Sequence, residues 1–393
     1  MAVAGDFPED LTRDILLRIP VKSVSRFRCV HKTWDSLFNS SSFIITHFNN
    51  SNKKGHNFMM LMIPYDETVD KNWYLTQLRF RLFTRDKFNV YLNLEGEAPF
   101  RITSRNHVYS LFYPFVGFCN GLVCLHNYLQ QPEQIVLYNP CLKQHKIIQP
   151  PIDFNVSEFR DRVLGFGYDS VNNDYKVVYW RKREGHGIRT QLAQVYTLGT
   201  NSWRDVDPPV NITFIKVPTN FQAFLNGSIH WWGKDVKNIG CQVIVSFKVC
   251  SEEFQVFHLP DYVPRPKRLA NLNFDQIGIY VCRDLLCVSV ATICDQYLNQ
   301  SYDIWAMGRY GVQESWTRLF VVDNEQRPDP FSYFKGIEMN GELVWSRTSS
   351  TDRVWVTVNY ADNEKFHDIK FGYDDRFPEF PVVTYTESLV SLK

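Results

Sequence analysis

The spacing of apolar residues changes character a short distance into the chain. Leu11, Ile15 and Ile19 follow one another at steps of four, with Leu16 beside them, as on one face of a helix. Pro20 is expected to stop this helix, because proline disfavours helical geometry in the residue before it. From about residue 57 onward the chain reads as short apolar strands separated by turn residues. The pattern predicts a small helical segment followed by a large all-β body.

Further short helices are expected before residue 50. A second helix would carry Val24, Phe27 and Cys29-Val30, and a third would carry Trp34, Leu37 and Phe38. Helices this short cannot bury all their apolar groups internally. Part of their face is therefore expected to dock on a partner, although packing wholly against the β body is the alternative. Four basic residues surround this face and favour an acidic partner. They are Lys22, Arg26, Arg28 and Lys32.

Asn-Gly dipeptides punctuate the β tract. They occur within "FCNGLVCL" (118–125), "FLNGSIHWW" (224–232) and "MNGELVW" (339–345). Each stands between apolar runs, which is a strong hairpin signal because a type I′ turn needs two residues at positive φ.

A second kind of hairpin recurs at a near-constant interval. It consists of an apolar strand, a polar turn and a returning aromatic residue. Its copies centre on Phe83, Tyr138, Tyr196, Phe247, Trp305 and Asn359. The steps between them are 55, 58, 51, 58 and 54 residues, slightly longer than a four-stranded propeller blade. The fold class predicted is therefore a helical module followed by a kelch-like propeller of about six blades, with an irregular β-sandwich as the alternative. The returning aromatics are expected to pack between neighbouring blades. They are Trp203, Phe254, Trp316 and Phe366.

Composition narrows the class of protein. Lys plus Arg is 43 and Asp plus Glu is 42, which argues against a nucleic-acid-binding protein. The nine cysteines show no CxxC pair, so they fit a reducing compartment better than a zinc site. The first residues lack an apolar signal segment, and no apolar run is long enough to span a membrane. We expect a soluble protein of the cytoplasm, the nucleus or both.

Motifs for catalysis or metal binding are weak. "GFGYDS" (165–170) lacks a following GK[ST] and reads as a strand and turn, so it is not a phosphate loop. The ten histidines show no metal-ligand spacing, and His126 and His230 are expected to be structural. No GxSxG elbow is present. A copper oxidase of the kelch-like kind is a remote alternative. No catalytic, cofactor-binding or metal-ligating residue is predicted.

Insertions between strands are candidates for target binding. Residues 179–191 and 260–273 are basic and 322–331 are acidic, and each is expected to project as a loop on one rim of the ring. Solvated loops without function are the alternative. The residues expected to contact a target are Arg181, Lys182, Arg183, Arg189, Arg265, Lys267 and Arg268.

The helical segment resembles the F-box, the adaptor-binding module of SCF-type ubiquitin ligases. Three phrases carry the likeness: "PEDL" (8–11), "ILLRIPVKSV" (15–24) and "RFRCV" (26–30), followed by Lys32, Trp34 and Leu37. Phe7 departs from the leucine usual in the family but stays apolar. The resemblance implies a Skp1-like adaptor as partner, with a cullin-1-type scaffold reached through it. The residues it implies as forming or supporting the adaptor face are Pro8, Leu11, Ile15, Leu16, Ile19, Pro20, Val21, Val24, Cys29, Val30 and Trp34.

The β tract resembles the plant F-box-associated domain of type 1, which has a kelch-like architecture. The phrases are "LYNP" (137–140), "GFGYDSVNNDYKVV" (165–178), "VYTLGTNSWR" (195–204), "FLNGSIHWW" (224–232) and the final "ESLVSL" (387–392). The likeness is clearest over 95–340. S-locus F-box proteins share this layout, and membership of that subgroup would imply a pistil ribonuclease as the target.

Together these patterns divide the chain into an F-box at 6–50 and a substrate-recognition propeller at 57–393. The expected function is that of a non-catalytic receptor subunit of an SCF ubiquitin ligase, which recruits a protein target for ubiquitination and degradation. Its partners would be proteins, without nucleic acid or membrane. A lectin-like propeller outside any ligase is the alternative from another class.

Overall fold

The computed structural model describes most of the chain. The residues described are 8–53, 58–70, 73–84, 91–104, 115–127, 133–151, 159–185, 188–215, 222–238, 241–263, 277–293, 300–323, 328, 332–337, 341–348, 354–360, 367–370 and 382–392.

Four α-helices lie in the first 53 residues, and we call them the helical bundle. They are α1 (Glu9–Leu16), α2 (Val21–Phe27), α3 (Lys32–Asn39) and α4 (Ser41–Lys53). Helix α1 ends at Leu16, earlier than expected, and Pro20 is instead the N-cap of α2. Proline suits this place because the first amides of a helix have no intrahelical partner. Ser40 caps α4, since its Oγ accepts a hydrogen bond from the Phe43 amide at 3.4 Å.

The β body consists of short antiparallel strands. The first seven are β1 (Phe58–Asp70), β2 (Trp73–Thr84), β3 (Tyr91–Ser104), β4 (Phe115–Cys119), β5 (Leu122–Asn127), β6 (Gln134–Asn139) and β7 (Gln144–Ile148). The next nine are β8 (Phe159–Asp169), β9 (Asp174–Gly185), β10 (Ile188–Thr197), β11 (Ser202–Val206), β12 (Ile212–Phe214), β13 (Ala223–Leu225), β14 (Ser228–Asp235), β15 (Gln242–Lys248) and β16 (Glu253–His258). The last nine are β17 (Ile277–Cys282), β18 (Leu285–Ile293), β19 (Gln300–Met307), β20 (Trp316–Val322), β21 (Ser332–Ile337), β22 (Glu342–Thr348), β23 (Val354–Tyr360), β24 (His367–Lys370) and β25 (Val382–Tyr385).

These strands form six sheets, which we number as blades in chain order. Blade 1 has the order β25-β1-β2-β3, blade 2 is β4–β7, blade 3 is β8–β11, blade 4 is β12–β16, blade 5 is β17–β20 and blade 6 is β21–β24. In blade 4 the first strand is split, since β12 and β13 both pair with β14. Blade 1 joins the two ends of the β body, because β25 pairs with β1 from Phe58↔Tyr385 to Leu61↔Val382. The described strands therefore form a propeller of six blades closed by β25, and the sandwich alternative is wrong.

The repeat read from the sequence marks the same strand of every blade. Its six centres lie in β2, β6, β10, β15, β19 and β23, each the third strand of its sheet. Trp203 and Phe254 pack in the cores between blades 2 and 3 and between blades 3 and 4. Trp316 packs between blades 4 and 5. The prediction for these three aromatics is confirmed, whereas Phe366 lies outside the described residues.

Neighbouring blades pack face to face and bury both sides of their middle strands. Along β9, Val177 and Tyr179 belong to the core shared with blade 2, and Val178 and Trp180 to the core shared with blade 4. A strand buried on both faces loses the usual alternation of apolar and polar residues, which explains the near-continuous apolar runs.

The predicted Asn-Gly turns are present where they are described. Asn120 and Gly121 have φ of 47° and 81°, and Asn226 and Gly227 have φ of 52° and 69°. Both residues of each turn are therefore left-handed, as a type I′ hairpin requires. Asn340 lies outside the described residues, and Gly341 beside it has φ of 92°.

Gly165 is required by the close approach of blades 3 and 4. A Cβ at this position would lie 2.1 Å from Cζ2 of Trp231, whose indole N–H donates to the Leu164 carbonyl at 3.0 Å. We expect Gly165→Ala to lower the free energy of unfolding by about 1–3 kcal/mol, because overpacking forces a rigid ring to move. Urea denaturation of the full chain measures this loss.

A double-mutant cycle isolates the clash. In a Trp231→Phe background the added methyl group should cost clearly less than in the native chain, because the ring it would strike is smaller. If the losses of unfolding free energy in the two single variants add up to the loss in the double variant, the two residues do not compete for this space.

Candidate functional site

One side of the helical bundle is buried against the propeller. Leu16, Val21, Val24 and Phe38 are buried together with Leu389 from the C-terminal tail. Cys141 and Leu142, from the turn between β6 and β7, pack on the same core. The bundle therefore uses the propeller to complete its own hydrophobic core.

The other side of the bundle leaves large apolar residues in solvent. Leu11 and Ile15 of α1 are 47% and 51% exposed, and Phe27 and Val30 at the end of α2 are 37% and 64% exposed. Single exposed apolar residues are ordinary on protein surfaces, but four within twenty positions are a mark of interaction sites. We call these four residues the exposed apolar set.

The eleven residues predicted for the adaptor face divide between these two sides. Pro8, Leu11, Ile15, Pro20, Cys29 and Val30 are exposed, and Ile19 and Trp34 are half-buried. Leu16, Val21 and Val24 are buried inside the chain's own core. The expectation that these three contact a partner is corrected, because a side chain sealed beneath α3, α4 and Leu389 can only support the exposed face from below.

Basic residues remain around the exposed apolar set. Lys22, Arg26 and Lys32 are exposed, as predicted. Arg28 instead pairs with Asp35, Nε to Oδ1 at 3.3 Å, and donates to Asn39. The remaining cations still favour an acidic partner.

Connectivity gives the propeller two distinct ends. In each four-stranded antiparallel blade the first–second and third–fourth turns lie at one end, and the second–third turn lies at the other. Cys141 and Leu142 belong to the third–fourth turn of blade 2, so the helical bundle sits at the end with those turns, which we call the helix end. The second–third turns and the connections between blades lie at the far end.

The predicted target-binding segments all begin from the far end, but the first is not a loop. Residues 179–191 continue β9 and β10 as a hairpin, with Ile188 paired to Gly185. Arg181 is buried, donates from Nη2 to Gln194 Oε1 at 2.6 Å and stacks 5.0 Å from the Tyr179 ring centre. Lys182 is also buried. The prediction that these two residues project toward a target is wrong, because strand pairing carries them between the blades.

The other predicted target residues are less fully described. Arg183 lies in β9 and Arg189 in β10, paired through Thr190↔Arg183 and Arg189↔Glu184. Arg265, Lys267 and Arg268 lie outside the described residues. A role for these five residues stays a prediction.

Two exposed valines at the far end were missed from the sequence. Val210 is 79% exposed and precedes β12, and Val236 follows β14. Their turns are fixed to each other, since the Val236 amide donates to the Asn211 carbonyl at 2.8 Å. Asp235 holds the second turn by accepting from the Lys237 amide at 2.8 Å. Isolated valines beside Asp and Asn carry no sequence signal that separates them from ordinary turn residues.

Comparison with known protein families matches both parts of the chain. The F-box domain matches residues 5–46, and the F-box associated beta propeller domain matches residues 86–392. The second match covers more than half of the chain. The chain belongs to the F-box associated beta propeller family. It is a plant-type F-box protein by its relatives as well.

Curated relatives of this F-box protein come from Arabidopsis thaliana. It is 27% identical to F-box protein CPR1, over 89% of this chain and 82% of the relative. It is 24% identical to an F-box/kelch-repeat protein, over 81% and 79%, and 24% identical to a probable F-box protein, over 99% and 87%. Among solved structures, TolB from Acinetobacter baumannii is similar over 88% of this chain and 72% of that one, with 8% identity and a TM-score of 0.41. That score is too low to bear on function.

The two histidines singled out in the F-box protein have structural partners. His230 Nδ1 donates to the Ala223 carbonyl at 3.1 Å, and Nε2 accepts from the Tyr310 hydroxyl at 2.7 Å. His126 Nε2 lies 3.2 Å from Glu133 Oε2, which also accepts from Tyr179 at 2.9 Å. The prediction of structural histidines is confirmed. No cluster of three or more metal-ligating side chains occurs among the described residues.

Within the part of the chain that the structure describes, no helix is long and apolar enough to cross a membrane.

Burial of His230 makes stability depend on pH. Burial, opposed by the bond to Ala223 and aided by the Lys248 charge, lowers the pKa of His230 from 6.5 to about 4. Below pH 6.5 the unfolded chain binds a proton at this histidine, whereas the folded chain does not bind it until about pH 4. The free energy of unfolding therefore falls as the pH drops through this window. Protonation of His230 in the unfolded chain should lower the free energy of unfolding by about 2 kcal/mol between pH 7 and pH 5.

His230→Gln supplies the comparison. The pH-dependent loss of unfolding free energy should be smaller in this variant by about that amount, measured by urea denaturation at both pH values. Equal losses in the two proteins would show that His230 is not held neutral by the fold.

Proposed function

We propose that this F-box protein is the substrate-recognition subunit of an SCF-type ubiquitin ligase. The observation that carries the proposal is the division of the helical bundle, with some of its apolar residues packed on the propeller and the exposed apolar set left in solvent. The matches to the F-box domain and to the associated propeller domain support it. The bundle would bind a Skp1-like adaptor, and a cullin-1-type scaffold would be reached through that adaptor.

The proposed role needs no catalytic group in this chain. A receptor accelerates ubiquitin transfer by holding target lysines near the conjugating enzyme, which raises their effective concentration. His126 and His230 have structural hydrogen-bond partners, and the family's members act as recruiting subunits. We therefore propose a non-catalytic receptor that works in the cytoplasm, the nucleus or both, and whose target is a protein.

The target is proposed to bind at the far end of the propeller. The adaptor would occupy the helix end, so a target at the far end would leave both partners room. Val210 and Val236 are exposed there on turns that hydrogen bonds fix, and a surface fixed before binding loses little entropy on binding. A pistil ribonuclease would be the target if the chain is of the S-locus type. A lectin-like propeller without an adaptor would be indicated instead by glycan binding.

Adaptor binding depends on the exposed apolar set. Ile15→Asp should weaken binding of a purified Skp1-type adaptor at least tenfold, because it places a charge where an apolar contact forms. The unfolding midpoint should change little, since Ile15 is half exposed. Calorimetric titration of the full chain measures the affinity.

Ile147→Asp is the matched control, because Ile147 is 43% exposed on β7 of the propeller. It should bind the adaptor like the native chain. Native affinity in Ile15→Asp would reject the proposed adaptor face, and an equal loss in both variants would show a general effect of added charge.

Target capture should depend on the far end. A Val210→Asp, Val236→Asp double variant should lose specific co-purifying proteins while it retains the adaptor, measured by affinity purification and mass spectrometry. Val171→Asp is the control, since Val171 is 76% exposed in the turn at the helix end of blade 3. An unchanged set of specific proteins in the double variant would remove this surface from the proposal.

A further inference from the structure

The C-terminal tail connects the helical bundle to the propeller. After β25 ends at Tyr385, residues 386–392 run along blade 2, and most of their side chains are buried. The Asn139 side chain holds the tail by donating from Nδ2 to the carbonyls of Ser388 at 3.0 Å and Val390 at 2.8 Å. Gln144 Oε1 accepts from the Ser391 hydroxyl and from the Leu392 amide, each at 3.0 Å.

Neighbouring residues of the tail pack into different bodies. Leu389 is buried in the core of the helical bundle with Leu16 and Phe38. Val390 and Leu392 pack instead into the core between blades 2 and 3. Consecutive side chains of an extended segment point to opposite sides, which lets seven residues bind two bodies at once.

Asn139 fixes both propeller segments that touch the bundle. Its Nδ2 binds the tail, and its Oδ1 accepts from the amides of Cys141 at 3.0 Å and Leu142 at 3.2 Å. Cys141 and Leu142 pack on the bundle core, as Leu389 does. One fully buried amide group therefore holds the tail and the Cys141–Leu142 turn in place beneath the helices.

The space for the tail is reserved by a glycine. A Cβ at Gly121, in the first–second turn of blade 2, would lie 2.2 Å from Cβ of Ser388 and 2.8 Å from the Thr386 carbonyl oxygen. Tyr385, just before the tail, contacts Phe118 with ring centres 5.6 Å apart. The tail is thus held in place from the end of β25 to Leu392.

We propose that residues 386–392 form a strap that holds the helical bundle and the propeller as one rigid arm, with Leu389 and Asn139 as its positioning residues. The inference rests on the proposed function for its purpose. A rigid arm presents a target bound at the far end at one distance and angle from the adaptor. This fixed geometry maintains the high effective concentration of target lysines near the conjugating enzyme. Release of the strap would withdraw Leu389 from the bundle core, leave Cys141 and Leu142 packed on it, and let the bundle move on the propeller.

Spin-label distances test the strap directly. One label is introduced through a noncanonical amino acid at Ser36 in α3 and the other at Val171, both exposed positions on different bodies. In the otherwise native chain, pulsed electron paramagnetic resonance should give one narrow distance peak. In Leu389→Asp, and in a chain ending at Tyr385, the peak should become at least twice as broad.

Three further variants make the result interpretable. Asn139→Ala removes the hydrogen bonds that hold the tail and the Cys141–Leu142 turn but leaves every side chain of the bundle core in place. It should also broaden the peak, so an unfolded bundle in Leu389→Asp would not hide the answer. Leu389→Met should give the same narrow peak as the native chain, because methionine keeps the volume and apolar character of the leucine side chain. Leu319→Asp, at a residue 42% exposed on β20, should leave the peak unchanged.

A narrow, unshifted peak in both the shortened chain and Asn139→Ala would overturn the strap. Adaptor affinity is measured separately on Asn139→Ala and should stay within twofold of the native value, because the exposed apolar set and the side chains of the bundle core are unchanged. A native chain that binds no adaptor would reject the proposed function, while the distance measurement would still decide whether the strap exists.

Discussion

Burial of both faces of a blade, seen in blades 3, 4 and 5, is the constraint on which this structure depends. The middle strands carry apolar residues on each side, such as Val177 toward one neighbour and Val178 toward the other. A blade of this kind is stable only between two others, so the row of blades must close into a ring. Closure is achieved by β25, which returns to pair with β1 and so ties the end of the β body to its beginning. The closure also fixes the positions of the turns at the two ends of the ring relative to one another.

The closing strand also brings the C-terminal tail to the helical bundle. Leu389 supplies part of the bundle core, and Cys141 and Leu142 supply more from blade 2. The bundle is too short to bury its apolar residues alone, and this contact covers only one side of it. The opposite side keeps the exposed apolar set, and the far end of the propeller lies on the other side of the ring. The exposed apolar set and the exposed valines of the far end therefore lie on different parts of the molecule, which is what the proposed pair of partners requires.

Much of the fold could be predicted because its signals are local. The hairpin repeat depends on residues within one blade, and its six centres all lie in third strands. The Asn-Gly turns needed only the backbone preference of two residues. Which apolar residues of the helices are buried and which are exposed could not be predicted in the same way. Ile15 and Leu16 are adjacent and both apolar, yet one is half exposed and the other buried. Leu389 helps to decide which one is covered, and it comes from the opposite end of the chain.

The basic segment after Tyr179 illustrates the same limit. A run of Arg and Lys with glycines resembles a solvated loop, but Arg181 and Lys182 lie in a strand and are buried. Arg181 is accommodated by the Tyr179 ring, two residues before it on β9, and by Gln194, which the pairing of β9 with β10 brings near. Long-range pairing, which a single sequence does not display, decided these positions. The order of the strands was predictable, but the surroundings of individual side chains at the rim were not.

The central claim is that the molecule binds an adaptor at its helix end and leaves its far end for a target. Hydrogen–deuterium exchange of the full chain, measured with and without a saturating Skp1-type adaptor, tests this most directly. We expect slower exchange of amides in residues 9–30 and unchanged exchange in the turns around Val210 and Val236. Protection of those far-end turns, or no protection within residues 9–30, would contradict the claim.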